Sequence, residues 1–121
     1  MIRLIRRRLI IPRGDTGSFS IPIKDSINDG DIAVFSIYDP LTKTSVKDIE
    51  IELSQDAKTL TVNFSHEDTL NLEPRKYKWD IKIYHNPTYD EEQILTGADE
   101  INSYYAAYSL PICEIREVGK A

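Results

Sequence analysis

Apolar and polar residues alternate with a period of two through most of this chain, in short runs separated by turn residues about every ten positions. That spacing predicts an all-β domain whose strands pack in two layers, and helical periodicity is nearly absent. Ile2 to Ile11 reads as a first strand, ended by the turn Pro12-Arg13-Gly14-Asp15-Thr16-Gly17. Phe19, Ile21 and Ile23 fall on one face of a second strand, in which Pro22, having no backbone donor, marks an edge position. After the turn Asn28-Asp29-Gly30, the nearly continuous apolar run Ile32 to Tyr38 predicts a central strand carrying Phe35. The next strand turns Ile49, Ile51 and Leu53 inward and Asp48, Glu50 and Glu52 toward water, and Leu60 to Phe64 repeats the pattern.

The stretch from Asp68 to Ile83 is the most informative. Leu72-Glu73-Pro74 makes a corner, and Tyr77 opens an alternating strand in which Tyr77, Trp79, Ile81 and Ile83 share one face. A leucine, a proline-containing corner and then a tyrosine is the signature of a tyrosine corner, in which the hydroxyl bonds back to the corner backbone in immunoglobulin-type sandwiches. Trp79, the only tryptophan, is the expected core anchor beside Phe35. His85 to Glu92 reads as a polar loop or hairpin tip, Gln93 to Gly97 as a short strand and turn, and Ile101 to Tyr108 permits either a strand or one turn of helix, the strand-like path being favoured. Leu110 to Val118 closes the domain with Cys113 and Ile115 on one face and Ile112 and Glu114 on the other. The expected architecture is an all-β, immunoglobulin-like antiparallel β-sandwich of about seven to nine strands.

Length and charge sharpen this picture. The chain has 121 residues, the size of one domain, so residues 1–121 are expected to fold as a unit. Its one cysteine leaves no internal disulfide, which fits folding in a reducing cytoplasm. No apolar stretch approaches the ~20 residues that span a bilayer, and the start lacks the apolar centre of a signal peptide, so no membrane partner is expected. The net charge is −5, unevenly placed: Arg3, Arg6, Arg7, Arg8 and Arg13 put five of the 15 basic residues into the first thirteen positions, against 20 acidic residues elsewhere. A basic N-terminal strand or arm, residues 1–11, on an acidic body predicts contact with an acidic protein face, a second copy included. Arg3, Arg6, Arg7 and Arg8 are the expected contact residues, and the overall pI near 5.0 argues against nucleic acid.

Candidate chemistry changes the picture little. His66-Glu67-Asp68 and His85 lack the paired spacing of a zinc site, Asp90-Glu91-Glu92 does not match a calcium loop, and no glycine-rich phosphate loop is present. Two scattered histidines offer no base for a nucleophile, and Cys113 sits in an apolar strand pattern. No catalytic residue, cofactor or metal is expected. Arg13-Gly14-Asp15 spells an integrin-binding tripeptide, but Pro12, Gly14 and Gly17 already account for it as a turn. Tyr84, Tyr89, Tyr104, Tyr105 and Tyr108 suit a core or a protein interface and, as the alternative, a carbohydrate-binding or adhesive module.

Pro12-Arg13-Gly14-Asp15-Thr16 leading into Phe19-Ser20-Ile21, then Asp31-Ile32-Ala33-Val34-Phe35, then Leu72-Glu73-Pro74 with Tyr77-Lys78-Trp79-Asp80-Ile81-Lys82-Ile83, resemble the small N-terminal β-sandwich of upper baseplate proteins in tailed phages of Gram-positive bacteria. The resemblance spans most of the chain and rests on structural motifs. It implies a virion structural protein, assembled in the bacterial host cytoplasm, whose immunoglobulin-like domain docks onto tail, baseplate or head subunits. It carries over no catalytic residue. Those relatives continue into helical and receptor-carrying parts, for which residues 1–121 have no counterpart.

Overall fold

Each strand that alternates offers one apolar face, and two sheets hide such faces from water by packing together. The computed structural model describes residues 1–23, 26–85, 88–89, 95–96, 99–103 and 110–117, with the backbone alone for 88–89, 95–96 and 99–103. The strands are β1 (Arg3–Ile5), β2 (Arg8–Pro12), β3 (Gly17–Pro22), β4 (Ile32–Tyr38), β5 (Ser45–Glu52) and β6 (Thr59–Phe64). A short helix α1 (His66–Leu70) follows, then β7 (Lys76–His85), β8 (Thr88–Tyr89), β9 (Leu95–Thr96), β10 (Asp99–Ser103) and β11 (Ile112–Arg116).

The large sheet runs in the order β1-β2-β11-β7-β4-β5, with β10 also paired to β7. A small sheet holds β3 and β6, and β8 pairs with β9 separately. The ten-residue β7 is the spine of the large sheet. On one side β4 pairs with it from Lys78 to Tyr84, and on the other β11 takes Lys76 to Lys78 while β10 takes Lys82 to His85.

The inner face of the large sheet follows from strand periodicity. Leu9 and Ile11 of β2, Ala33, Phe35 and Ile37 of β4, Tyr77, Trp79, Ile81 and Ile83 of β7, and Cys113 and Ile115 of β11 are all buried. Phe19 and Ile21 of β3 and Leu60, Val62 and Phe64 of β6 close over them. Phe19 meets Phe35 and Trp79 edge to face, each pair of ring centroids 5.7 Å apart. The buried indole N–H of Trp79 donates to the Arg7 carbonyl at 3.1 Å, so the core aromatic carries no unmet donor. The Tyr77 hydroxyl donates to the Glu73 carbonyl at 2.9 Å, the bond a tyrosine corner makes.

Three features differ from the sequence expectations. The large sheet is mixed, because β2 runs parallel to β11 from Leu9 opposite Cys113 to Pro12 opposite Arg116. A parallel pair needs a long crossover, and here nearly the whole domain lies between the two strands. The first strand, expected to be continuous from Ile2 to Ile11, is a hairpin: Arg6 has φ 59° and turns the chain between β1 and β2. The polar segment around His66, in a chain where helical periodicity is nearly absent, is the helix α1, opened by the Ser65 N–H donating to Asp68 Oδ2 at 2.7 Å. Among the described residues no helix is long and apolar enough to cross a membrane.

Candidate docking edges

An open sheet needs its two end strands managed, since each presents unpaired backbone donors and acceptors. Among the described residues, one end here is β1, paired only with β2, and the other is β5, paired only with β4. At the first end Arg3 shares a face with Ile10, while Leu4 lies opposite the core residue Leu9. Arg3, Arg6 and Arg7 are exposed, the last two in the hairpin turn. Arg8 is different: its guanidinium pairs with the Glu114 carboxylate across the β2–β11 boundary, and Arg116 Nε holds the second oxygen at 2.7 Å. Arg116 and Arg8 together hold the Glu114 carboxyl down at about 2. Of the four arginines expected as contacts, Arg3, Arg6 and Arg7 are exposed and Arg8 is paired within the fold. Residues 1–11 are likewise no detachable arm, because Ile2, Leu9 and Ile11 are core residues.

The other end is acidic. Along β5, Asp48, Glu50 and Glu52 are exposed on the outer face, while Lys47, Ile49 and Ile51 are half-buried on the inner face. Asp48 accepts from the hydroxyls of Ser36 and Ser45 at 2.6 Å each, which fixes the start of the strand on β4. Lys47 reaches Asp68 of α1 at 3.0 Å, so the one inward charge of this edge is neutralised from the helix. Ile49 and Ile51, like Leu4 at the far end, pack on the rim of the core and are only partly covered.

No protein-family model matches the chain, and no curated protein or solved structure matches it. The site is therefore defined by its own residues.

The remaining candidates from the sequence take structural places. In the Arg13-Gly14-Asp15 turn, Arg13 pairs with Glu117 at 2.8 Å, and Gly14, at φ 76°, donates to Thr69 Oγ1 at 2.8 Å. The Gly14 carbonyl accepts from His66 Nδ1 at 2.6 Å, and a Cβ on Gly14 would come within 3.1 Å of that ring. Cys113 is buried, and burial pushes its thiol up to about 12. Tyr84 is half-buried, whereas Asp90 to Glu92, Tyr104, Tyr105 and Tyr108 lie outside the described residues and Tyr89 is described by its backbone alone.

Two arrangements had no sequence signal, because their members are far apart in the chain. His85 Nδ1 sits 2.6 Å from Oδ2 of the buried Asp31, which also accepts the Asn28 N–H at 2.9 Å. An open cleft of about 470 Å³ on the outer face of the large sheet is lined by Asp39 and Asp80 together with Lys43, Lys78 and Lys82, and by Tyr38, Pro40 and Leu110. Burial there, and then the neighbouring Asp80, raises the Tyr38 hydroxyl above its ordinary value. No group of three His, Cys, Asp or Glu side chains placed to hold a metal occurs among the described residues.

Proposed function

We propose that this chain is a non-catalytic docking module of a phage virion, an immunoglobulin-like sandwich that joins tail, baseplate or head subunits through the open edges of its large sheet. The observation that carries the reading is the pair of end strands: among the described residues both lack a second neighbour, one carries basic and one acidic side chains, and each leaves apolar residues half-covered on its inner side. Unpaired edges dock by strand addition, and charge chooses the partner.

The strand order supports the immunoglobulin-like part. The run β11-β7-β4-β5 opposite β3-β6 matches the order G-F-C-C′ opposite B-E of variable-type domains, with the Tyr77 corner at the start of the F-like strand. Two residues on from that tyrosine, where antibody domains place the inter-sheet cysteine, stands Trp79, and its edge-to-face contact with Phe19 of the B-like strand replaces the disulfide. A cytoplasmically assembled particle has no use for that disulfide. The phage assignment itself rests on the sequence resemblance.

Mass spectrometry of purified particles tests the reading, together with the same measurement on a phage carrying Arg3→Glu and Arg6→Glu. Incorporation of the unaltered chain in fixed stoichiometry and its loss in the variant is the expected result. Absence of the unaltered chain from particles would remove the virion assignment.

A further inference from the structure

The two ends of the large sheet fit each other. Going outward from β7 through β11, β2 and β1, and on the other side through β4 and β5, the pairing senses bring β1 and β5 out pointing the same way along the sheet. Strand periodicity then sorts each end into two rows. On the outer face stand Arg3 and Ile5 at one end and Asp48, Glu50 and Glu52 at the other; on the inner face stand Leu4 at one end and Ile49 and Ile51 at the other. A β1 laid beside the β5 of a neighbouring copy, with the faces kept, brings Arg3 to the acidic outer row and Leu4 to Ile49 and Ile51 of the inner row in one step. Slipping the register by one residue would destroy both matches together.

We infer that copies of this chain associate head to tail, β1 of one copy adding to β5 of the next as a parallel continuation of the large sheet. The inference rests on the docking function proposed above and names a second copy as a partner of those same edges. The symmetric alternatives are opposed by charge. A β5–β5 junction faces Glu50 and Glu52 with another acidic row, and a β1–β1 junction faces Arg3 with Arg3, and like charges across a strand pair are destabilising. Ile5, 49% exposed, and the rim residues Leu4, Ile49 and Ile51 lose water contact in the head-to-tail junction. With only three residues in β1, the backbone bonds of each junction are few, so the outer-row charges decide the strength and salt weakens it.

Sedimentation velocity at low ionic strength on the full chain and on two edge variants tests this. One variant carries Arg3→Glu and Arg6→Glu, the other Glu50→Lys and Glu52→Lys; all four positions are exposed, and circular dichroism checks that each variant keeps its β spectrum. The unaltered chain is expected to sediment as species of two or more copies that shrink as salt is added. Each variant alone is expected to be monomeric, and their equimolar mixture to regain the larger species, because every junction between unlike variants again joins opposite charges. A monomeric unaltered chain, an edge variant that associates as well as the parent, or a mixture that stays monomeric would each overturn the inference. Particle incorporation separates this from the broader reading: a chain that is monomeric in solution, yet is lost from particles when Arg3 and Arg6 are reversed, docks on other subunits and not on itself.

Discussion

Tyr77 packs its ring beneath the Arg75 guanidinium, 4.3 Å from the ring centroid, and ties its hydroxyl to the Glu73 carbonyl. Tyr77→Phe keeps the ring and removes the bond, leaving the Glu73 carbonyl one donor short. The expected cost is about 1 kcal/mol, read as a lower urea midpoint at unchanged slope. An unchanged midpoint would show that the corner bond contributes nothing. Glu114 makes a pH-dependent contribution. Because Arg116 and Arg8 hold its carboxyl at about 2, below the ~4.3 of a free glutamate, the folded chain binds fewer protons than the unfolded one. Its stabilisation is complete above ~4.3 and is lost as pH falls toward 2. Glu114→Gln should therefore unfold at lower urea than the parent near neutral pH, with the gap closing in acid. A gap of constant size across that range would mean the three charges are not coupled to folding.

At the scale of elements, local periodicity made β3 to β7 legible, since each buries one face and the alternation of Phe19 and Ile21, Ile49 and Ile51, or Trp79 and Ile81 records it directly. The β1–β2 hairpin was not legible, because its turn uses Arg6 at positive φ, where glycine or asparagine would have announced it. The one-turn helix α1 is too short for a 3.6-residue period, though Ser65 and Asp68 carry the spacing of a capping box. The parallel pairing of β2 with β11, the Arg8–Glu114 pair and the Asp31–His85 contact join segments too distant in sequence for any local signal. Of the candidate site, the acidic row of β5 and the basic start were visible in the sequence, but their positions at opposite ends of one sheet were not. The hairpin is also part of the core. Truncation before Pro12 removes Ile2, Leu9 and Ile11 together with the neighbour of β11, and side chains of this kind cost about 2–5 kcal/mol each when deleted. The truncated chain is expected to give no cooperative thermal transition, and a sharp one near the parent's would contradict the placement of β2.

At the scale of the whole molecule, the described residues form a six-strand path covered by a two-strand sheet, and among them the flanks of the large sheet are half-dressed. The rim residues Leu4, Ile49 and Ile51 and the opposed charges of β1 and β5 lie on those flanks. A domain that only had to be stable would gain by closing or capping these edges. Amide hydrogen exchange, followed by mass spectrometry on the chain before and after assembly, tests the docking account most directly. Before assembly, β4, β7 and β11 should exchange slowly while the amides of β1 and β5 that point away from β2 and β4 exchange fast. Assembly should slow those edge amides in both strands. Protection gained instead on the outer face of β3 and β6, with β1 and β5 unchanged, would contradict it.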